Sequence, residues 1–277
     1  METMTGRYEL LDDVRRGPYT RVVKAFDTEA RGLVLLKVLR KTHEADPTLR
    51  TSLAREAAAL ARVRHGNVAP VLDIVTEPHP SYAVPVLDGR PLSDCRRRGP
   101  APASVLGVVG GGIARGLAAL HAIGLVHGDV RPETVVVTRG IPVIFDPGLV
   151  KDLALLDKST RTGVVVAAAD YAAPELIRGQ TADHRCDLYA LGLVLFELAT
   201  GRHPFRCSDP IVTLRRHLFE PVPALGDLRP DLPAAFAELV GSLIAKRPSE
   251  RPRDAATVAR AIARALESTD ALVASDV

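Results

Sequence analysis

VHGDVRPET, Val126–Thr134, carries an apolar approach into His127, Gly128 and Asp129 and closes on Thr134. The residues that follow decide how this stretch folds. TVVVTRGIPVIFDPG, Thr134–Gly148, reads as strand, two-residue turn at Arg139-Gly140 and strand, which makes a hairpin. With Thr138 opposite Ile141, Val136 faces Val143 and Thr134 faces Phe145, so Asp146 emerges beside Thr134. Two acids, Asp129 and Asp146, then converge with one hydroxyl at a sheet end. Oxygen ligands gathered in this way suit a hard cation such as Mg²⁺, which binds a few carboxylates together with substrate phosphates. An acid on the preceding loop can orient a substrate hydroxyl. A turn aspartate before a strand is also commonplace, so spacing alone leaves both readings open.

Composition narrows the class. The chain has 277 residues, 47% hydrophobic and 25% charged, enough to bury a sizeable core as one large domain or two lobes. A formal net charge of +3 is too mild to imply a nucleic-acid partner, and the Arg96-Arg97-Arg98 run reads as a solvated face. Cys95, Cys186 and Cys207 form no CxxC pair, which fits reduced thiols in a cytoplasmic protein and argues against a disulfide or zinc framework. No membrane span is expected, because the most apolar stretch, residues 105–126, carries Arg115 and His121. The N-terminal residues show no basic-then-apolar export signal. No internal repeat is present, and no pattern speaks to oligomeric state.

Two textures divide the chain. Residues 7–87 alternate short β-rich runs with turns and hold one helical stretch, whereas long apolar-periodic helices dominate from about residue 100. The expected fold class is α+β and bilobal, with a β-rich N-lobe over 1–84, a hinge over 85–89, a helical C-lobe over 90–267 and a frayed tail over 268–277. In the first lobe, GLVLLKVLRK is an apolar strand interrupted by Lys37. The next segment has Asp46 at a helix cap and Pro47 in the first turn. Its stripe of Leu49, Leu53, Ala57 and Leu60 turns Glu56 inward, and an inward carboxylate calls for a cation, for which Lys37 is the obvious choice. Gly110-Gly111-Gly112 should cost its helix about 2–3 kcal/mol relative to alanines. Close packing against the all-apolar segment DLYALGLVLFELATG is the expected compensation, with Val258, Ile262 and Leu266 of a final amphipathic helix closing the lobe.

Together these motifs resemble a bacterial-type serine/threonine protein kinase over roughly residues 7–266. The resemblance implies a bilobal kinase fold and phosphoryl transfer from Mg-ATP to Ser/Thr hydroxyls of a protein substrate or signalling partner. It makes Lys37 the lysine of the α/β-phosphates, Glu56 its helix partner, Asp129 the catalytic acid/base and Asp146 the Mg²⁺ ligand. Arg131 stands where a phosphate-contacting lysine is usual. YAAPE, residues 171–175, resembles the end of the activation segment, Asp187 the brace of the catalytic loop, and Arg251 the partner of Glu175. The nucleotide is then expected between the lobes, its adenine edge served by the Pro85 carbonyl and the Leu87 N–H and walled by Val22 and Val136.

Departures from the family pattern predict slow turnover. The glycine-rich loop keeps only Gly17, with Arg15 and Thr20 at the outer glycine positions and Pro18 lacking a donor. Thr134 replaces a metal-binding asparagine, Pro147 a phenylalanine and Leu35 a small alanine. One lost transition-state contact costs about 3–4 kcal/mol. Gly128 replaces an arginine, so Ser159, Thr160 and Thr162 read as ordinary loop residues rather than an obligatory phosphorylation switch. Two alternatives stay open: a pseudokinase serving as a nucleotide-binding or scaffold module, and a small-molecule phosphotransferase of the aminoglycoside type. Against the second stand YAAPE, the DLYALG helix and Arg251 together.

Overall fold

The computed structural model describes residues 3–4, 6–94, 99–146, 169–181 and 183–273. Cys95, the Arg96–Arg98 run, Pro147, Ser159, Thr160 and Thr162 lie outside them. The fold is bilobal α+β. Strands β1 (Thr3–Met4), β2 (Tyr8–Arg16), β3 (Thr20–Asp27), β4 (Gly32–Leu39), β5 (Asp73–Val75) and β6 (Ser81–Pro85) form one antiparallel sheet in the order β1-β2-β3-β4-β6-β5. Helix α1 (Pro47–Leu60) packs on it. Asp46 caps this helix by accepting the N–H groups of Thr48 and Leu49, and Leu49, Leu53, Glu56, Ala57 and Leu60 share the buried face.

The second sheet holds β7 (Arg90–Pro91), β8 (Val135–Thr138) and β9 (Ile141–Ile144), with Thr138 paired to Ile141 and Val136 to Val143. That register is set by the Arg139-Gly140 turn, where both residues have positive φ. Helices α2 (Ala103–Ala122), α3 (Pro174–Ile177), α4 (Arg185–Thr200), α5 (Pro210–Phe219), α6 (Leu225–Leu228), α7 (Ala234–Leu243) and α8 (Ala255–Val273) complete the lobe. Every residue from Cys186 to Ala199 of α4 is buried, which makes it the lobe's axis. Val258, Ile262 and Leu266 face inward on α8.

Helix α8 runs to Val273, with neither Gly nor Pro in ESTDALV to stop it, and residues 274–277 of the expected tail lie outside the described residues. Helix α2 is the one helix among the described residues long and apolar enough to cross a membrane by length and composition. In the fold it is a core helix, 56% of its most apolar window being buried against other elements.

The glycines of α2 are explained by close approach. A Cβ on Gly110 would lie 2.7 Å from Leu195 of α4, the expected contact, whereas one on Gly112 would collide with Pro142 of β9. Gly111 meets only the tip of the Arg115 side chain, at 3.2 Å. Gly112→Ala should therefore destabilise the fold by about 1–3 kcal/mol through overpacking. Gly111→Ala should stabilise it by about 0.5–1 kcal/mol through helix propensity. Urea unfolding of the two variants checks the opposite signs; equal shifts would refute the packing account.

Farther along the lobe, His203 and His217 lie 6.0 Å apart, beside Phe205 and Tyr189. Burial lowers His203 to about 4. Burial, then His203 and Lys246, lowers His217 to about 3. Both are thus neutral in the fold yet titrate near 6.5 once unfolded. Below pH 6.5 the unfolded chain takes up protons that the folded state refuses, so stability falls as pH drops until the folded values are reached. The expected loss is about 1.4 kcal/mol per histidine per pH unit. Urea midpoints at about pH 7.5 and pH 5.5 test it, and identical midpoints would sink it.

Candidate active site

Strand pairing builds the upper wall of the cleft. Arg15 pairs with Val22, Val22 with Lys37 and Lys37 with Tyr82, so one row crosses β2, β3, β4 and β6. Directly opposed residues point to the same face. Two register shifts in β2, between Leu10 and Asp13 and between Asp13 and Arg15, set which face Arg15 joins. The row therefore brings Arg15 and Lys37 to one side of the sheet, over the β8–β9 hairpin that delivers Asp146.

Lys37 is buried, and its Nζ lies 2.8 Å from Glu56 Oε1 and 3.0 Å from Asp146 Oδ1. Tyr82 donates its hydroxyl to the same Glu56 oxygen at 2.6 Å. Burial alone would lower the Lys37 ammonium, but Asp146 and Glu56 outweigh it and hold the group above its ordinary range. Burial would likewise raise Asp146, and Lys37 with Arg15 outweighs that too, so its carboxyl stays below the usual range and ionised. The Arg15 guanidinium forks across the cleft and forms ion pairs with both Asp129 and Asp146. Two cations and three carboxylates thus meet in one place.

The lower wall is the Val126–Thr134 loop. Asp187, at the start of α4, accepts the N–H of His127 at 2.8 Å and of Gly128 at 2.7 Å, and lies 2.8 Å from His121 Nε2. Burial opposes its ionisation, but these contacts hold its carboxyl below the ordinary value. Gly128 has φ +74°, a conformation that favours glycine and explains the residue there. His127 is buried, which lowers it to about 4 and keeps it neutral. Its Nδ1 accepts the Asp129 N–H at 3.2 Å, so Nε2 carries the proton and donates to the Phe145 carbonyl at 3.2 Å. One imidazole thereby ties the Asp129 loop to the segment bearing Asp146. Asp146 itself has φ +56°, a strained value for a non-glycine.

Other residues singled out in the sequence take different positions. Thr134 is fully buried, and its hydroxyl donates toward the carbonyls of Asp129 and Arg131 while accepting the Arg131 N–H. That hydroxyl closes the loop on itself rather than standing out toward a metal. Arg131 turns its Nε to Glu133 at 2.8 Å. Gly17 donates its N–H to the Thr20 carbonyl at 2.8 Å, which closes the β2–β3 hairpin and takes that amide away from a phosphate. Val22 is buried and Val136 half-buried; Pro85 ends β6 and Leu87 packs against the main core.

Three contacts escaped the sequence reading: Arg15 at the acids, His127 as the link between loops, and Tyr82 on Glu56. For Arg15 the usable signal was the short Gly17–Thr20 loop, which sets Arg15 opposite Val22 and therefore in line with Lys37. Beyond the cleft, Glu175 and Arg251 form a buried bidentate pair at 2.6 and 2.8 Å. Tyr171 donates its hydroxyl to Glu197, and Arg206 reaches Glu197 and Asp170.

Residues 8–263 match the family model described as the protein kinase domain. The DNA damage-responsive serine/threonine-protein kinase RqkA of Deinococcus radiodurans is 36% identical over 92% of this chain and 39% of that protein. Serine/threonine-protein kinase PknL of Mycobacterium tuberculosis is 31% identical over 91% of this chain and 64% of its own length. Among solved structures, the kinase domain of Mycobacterium tuberculosis PknI is similar at a TM-score of 0.70 and 25% identity, over 95% of this chain and 97% of that one. The chain thus spans 39% to 64% of the length of these two curated relatives.

Asp187→Asn should cost about 1.5–3 kcal/mol, because a neutral amide cannot accept from both loop N–H groups as the carboxylate does. Hydrogen exchange should quicken at His127 and Gly128. Unchanged protection at both amides would show that the loop stands without this brace.

Proposed function

Because this chain belongs to the protein kinase domain family, we propose that it transfers the γ-phosphoryl group of ATP to a serine or threonine hydroxyl of a protein. The observation that carries this reading is a single buried ammonium, Lys37, set between Glu56 and Asp146, with Asp129 reached by the same guanidinium that reaches Asp146. Buried ionic groups are costly to keep, and the buried Lys37 and Glu56 beside the partly buried Asp129 and Asp146 argue for an anionic ligand.

In this reading Glu56 holds Lys37 extended, and Lys37 grips the α- and β-phosphates. Asp129 accepts the proton of the attacking hydroxyl as its oxygen bonds to the γ-phosphorus and the bond to the bridging β–γ oxygen breaks, releasing ADP. Val22 and Val136 flank the adenine, whose edge meets the Pro85 carbonyl and the Leu87 N–H.

Family members use ATP with a divalent metal. The ionised Asp146 suits such an ion, since Mg²⁺ is often held by one or two carboxylates with substrate phosphates completing its shell. When bound, it would neutralise charge developing on the transferred group. Thr134, whose hydroxyl is engaged within its own loop, would have to turn or share that oxygen to reach such an ion. Arg131, paired with Glu133, would have to exchange that partner to touch a phosphate.

One observation favours a second reading, a nucleotide-binding module without transfer. Arg15 engages both acids that chemistry would need. Phosphotransfer from radiolabelled ATP, to a general protein substrate and to the chain itself, separates the two readings. Transfer is expected and should fall at least about 10²-fold in Asp129→Asn. An ATP-dependent stabilisation of about 2.7 kcal/mol at a hundred times the dissociation constant, without any transfer, would establish the binding module instead.

A further inference from the structure

Arg15 occupies an outer glycine position of the phosphate loop, where the family pattern leaves room for a ligand. Its place is built rather than accidental. The Gly17–Thr20 turn and the two β2 register shifts put Arg15 in the row with Val22 and Lys37, and its fork spans the two carboxylates. A guanidinium in that position engages the Asp146 oxygen that Lys37 does not, and ties up Asp129 as well. Asp146 consequently faces two resident cations before any ion arrives.

The remaining donors do not offset this. The Thr134 hydroxyl is consumed within its own loop, and no group of three or more His, Cys, Asp or Glu side chains among the described residues could hold a metal ion. A divalent ion entering the cleft must separate Arg15 from a carboxylate that the guanidinium holds by charge-assisted hydrogen bonds. Glycine at this position would present no such competitor.

We propose that Arg15 is an internal cation that competes with the divalent metal for Asp146 and Asp129, and so decides how strongly nucleotide binding depends on that metal. The proposal rests on the reading of this cleft as a nucleotide site. It makes residue 15 a specificity determinant of that site: with arginine present the protein supplies part of the positive charge itself, and the metal's contribution shrinks.

The first arm of the test uses Mn²⁺ alone as probe, titrated into nucleotide-free protein and followed by the electron paramagnetic resonance signal of the free ion. Arg15→Gln should bind Mn²⁺ about tenfold more tightly than the wild type, the change expected when one charge-assisted competitor is removed. Adding Asp146→Asn to Arg15→Gln should abolish the gain. Equal affinities, undetectable binding by both proteins, or a gain that survives Asp146→Asn would each overturn the proposal. Circular dichroism confirms folding, and Arg15→Gly is read in the same way should the glutamine variant not fold. The second arm compares ATP affinity with Mg²⁺ and with chelator. The improvement due to Mg²⁺ should be about tenfold larger in Arg15→Gln than in the wild type. If neither protein binds ATP while Mn²⁺ binding still tightens, the phosphotransfer reading falls and the competition by Arg15 stands.

Discussion

The ammonium of Lys37 lies between a carboxylate carried by a helix and another carried by a hairpin, and this one buried cation fixes the relation of three chain segments. Neither carboxylate would be tolerable in that place alone, since an ionised group out of water needs a partner. Strand β4 delivers the lysine, α1 the glutamate and the end of β9 the aspartate. Removing any one would leave a buried charge without its counterpart, which is more damaging than the net value of the intact cluster suggests. The cleft and the relation of the sheet to the hairpin are therefore held by the same interaction.

The lower wall is rigid for a different reason. Asp187 takes two backbone N–H groups of the loop, and neutral His127 passes one hydrogen bond on to the Phe145 carbonyl. Glycines at 110, 112 and 116 let α2 lie close to α4, to Pro142 and to Ile144, so the hairpin rests on a helix rather than on solvent. Sequence segments far apart are thus held at fixed separation beneath a site whose ionic groups come from both lobes.

Much of this was written in local pattern. The cap at Asp46, the inward turn of Glu56 and the hairpin register each follow from spacings of a few residues, and each occurs as those spacings imply. What the pattern did not carry depended on reach across the fold. Arg15 meets Asp129 and Asp146, more than a hundred residues away, because strand register aims it there. Thr134 lies beside the acids as expected, yet whether its hydroxyl looks outward or into its own loop depends on the short 3₁₀ turn of Pro132–Thr134, which periodicity does not resolve. The end of α8 is equally hard to place, because a polar composition that favours fraying contains no residue that ends a helix.

Saturation of hydrogen bonds separates the ionic groups that build the fold from those that face the cleft. Arg251 spends its guanidinium on both oxygens of Glu175 and on the carbonyls of Ala245 and Arg185, and both Asp187 oxygens are in use. Such groups have little left to offer a ligand, and their burial is compensated within the chain. Glu56 is the contrast: one oxygen serves Lys37 and Tyr82, while Oε2 is buried with no hydrogen-bond partner among the described residues. Asp129 and Asp146 are satisfied mainly by Arg15 and Lys37, side chains long enough to exchange one anion for another. The cleft acids are thus met by side chains from other strands, whereas Asp187 is held by backbone N–H groups and Glu175 by a fully buried bidentate arginine. That difference in partners, rather than burial or charge alone, separates the Lys37, Arg15, Asp129 and Asp146 cluster from the ionic groups of the scaffold.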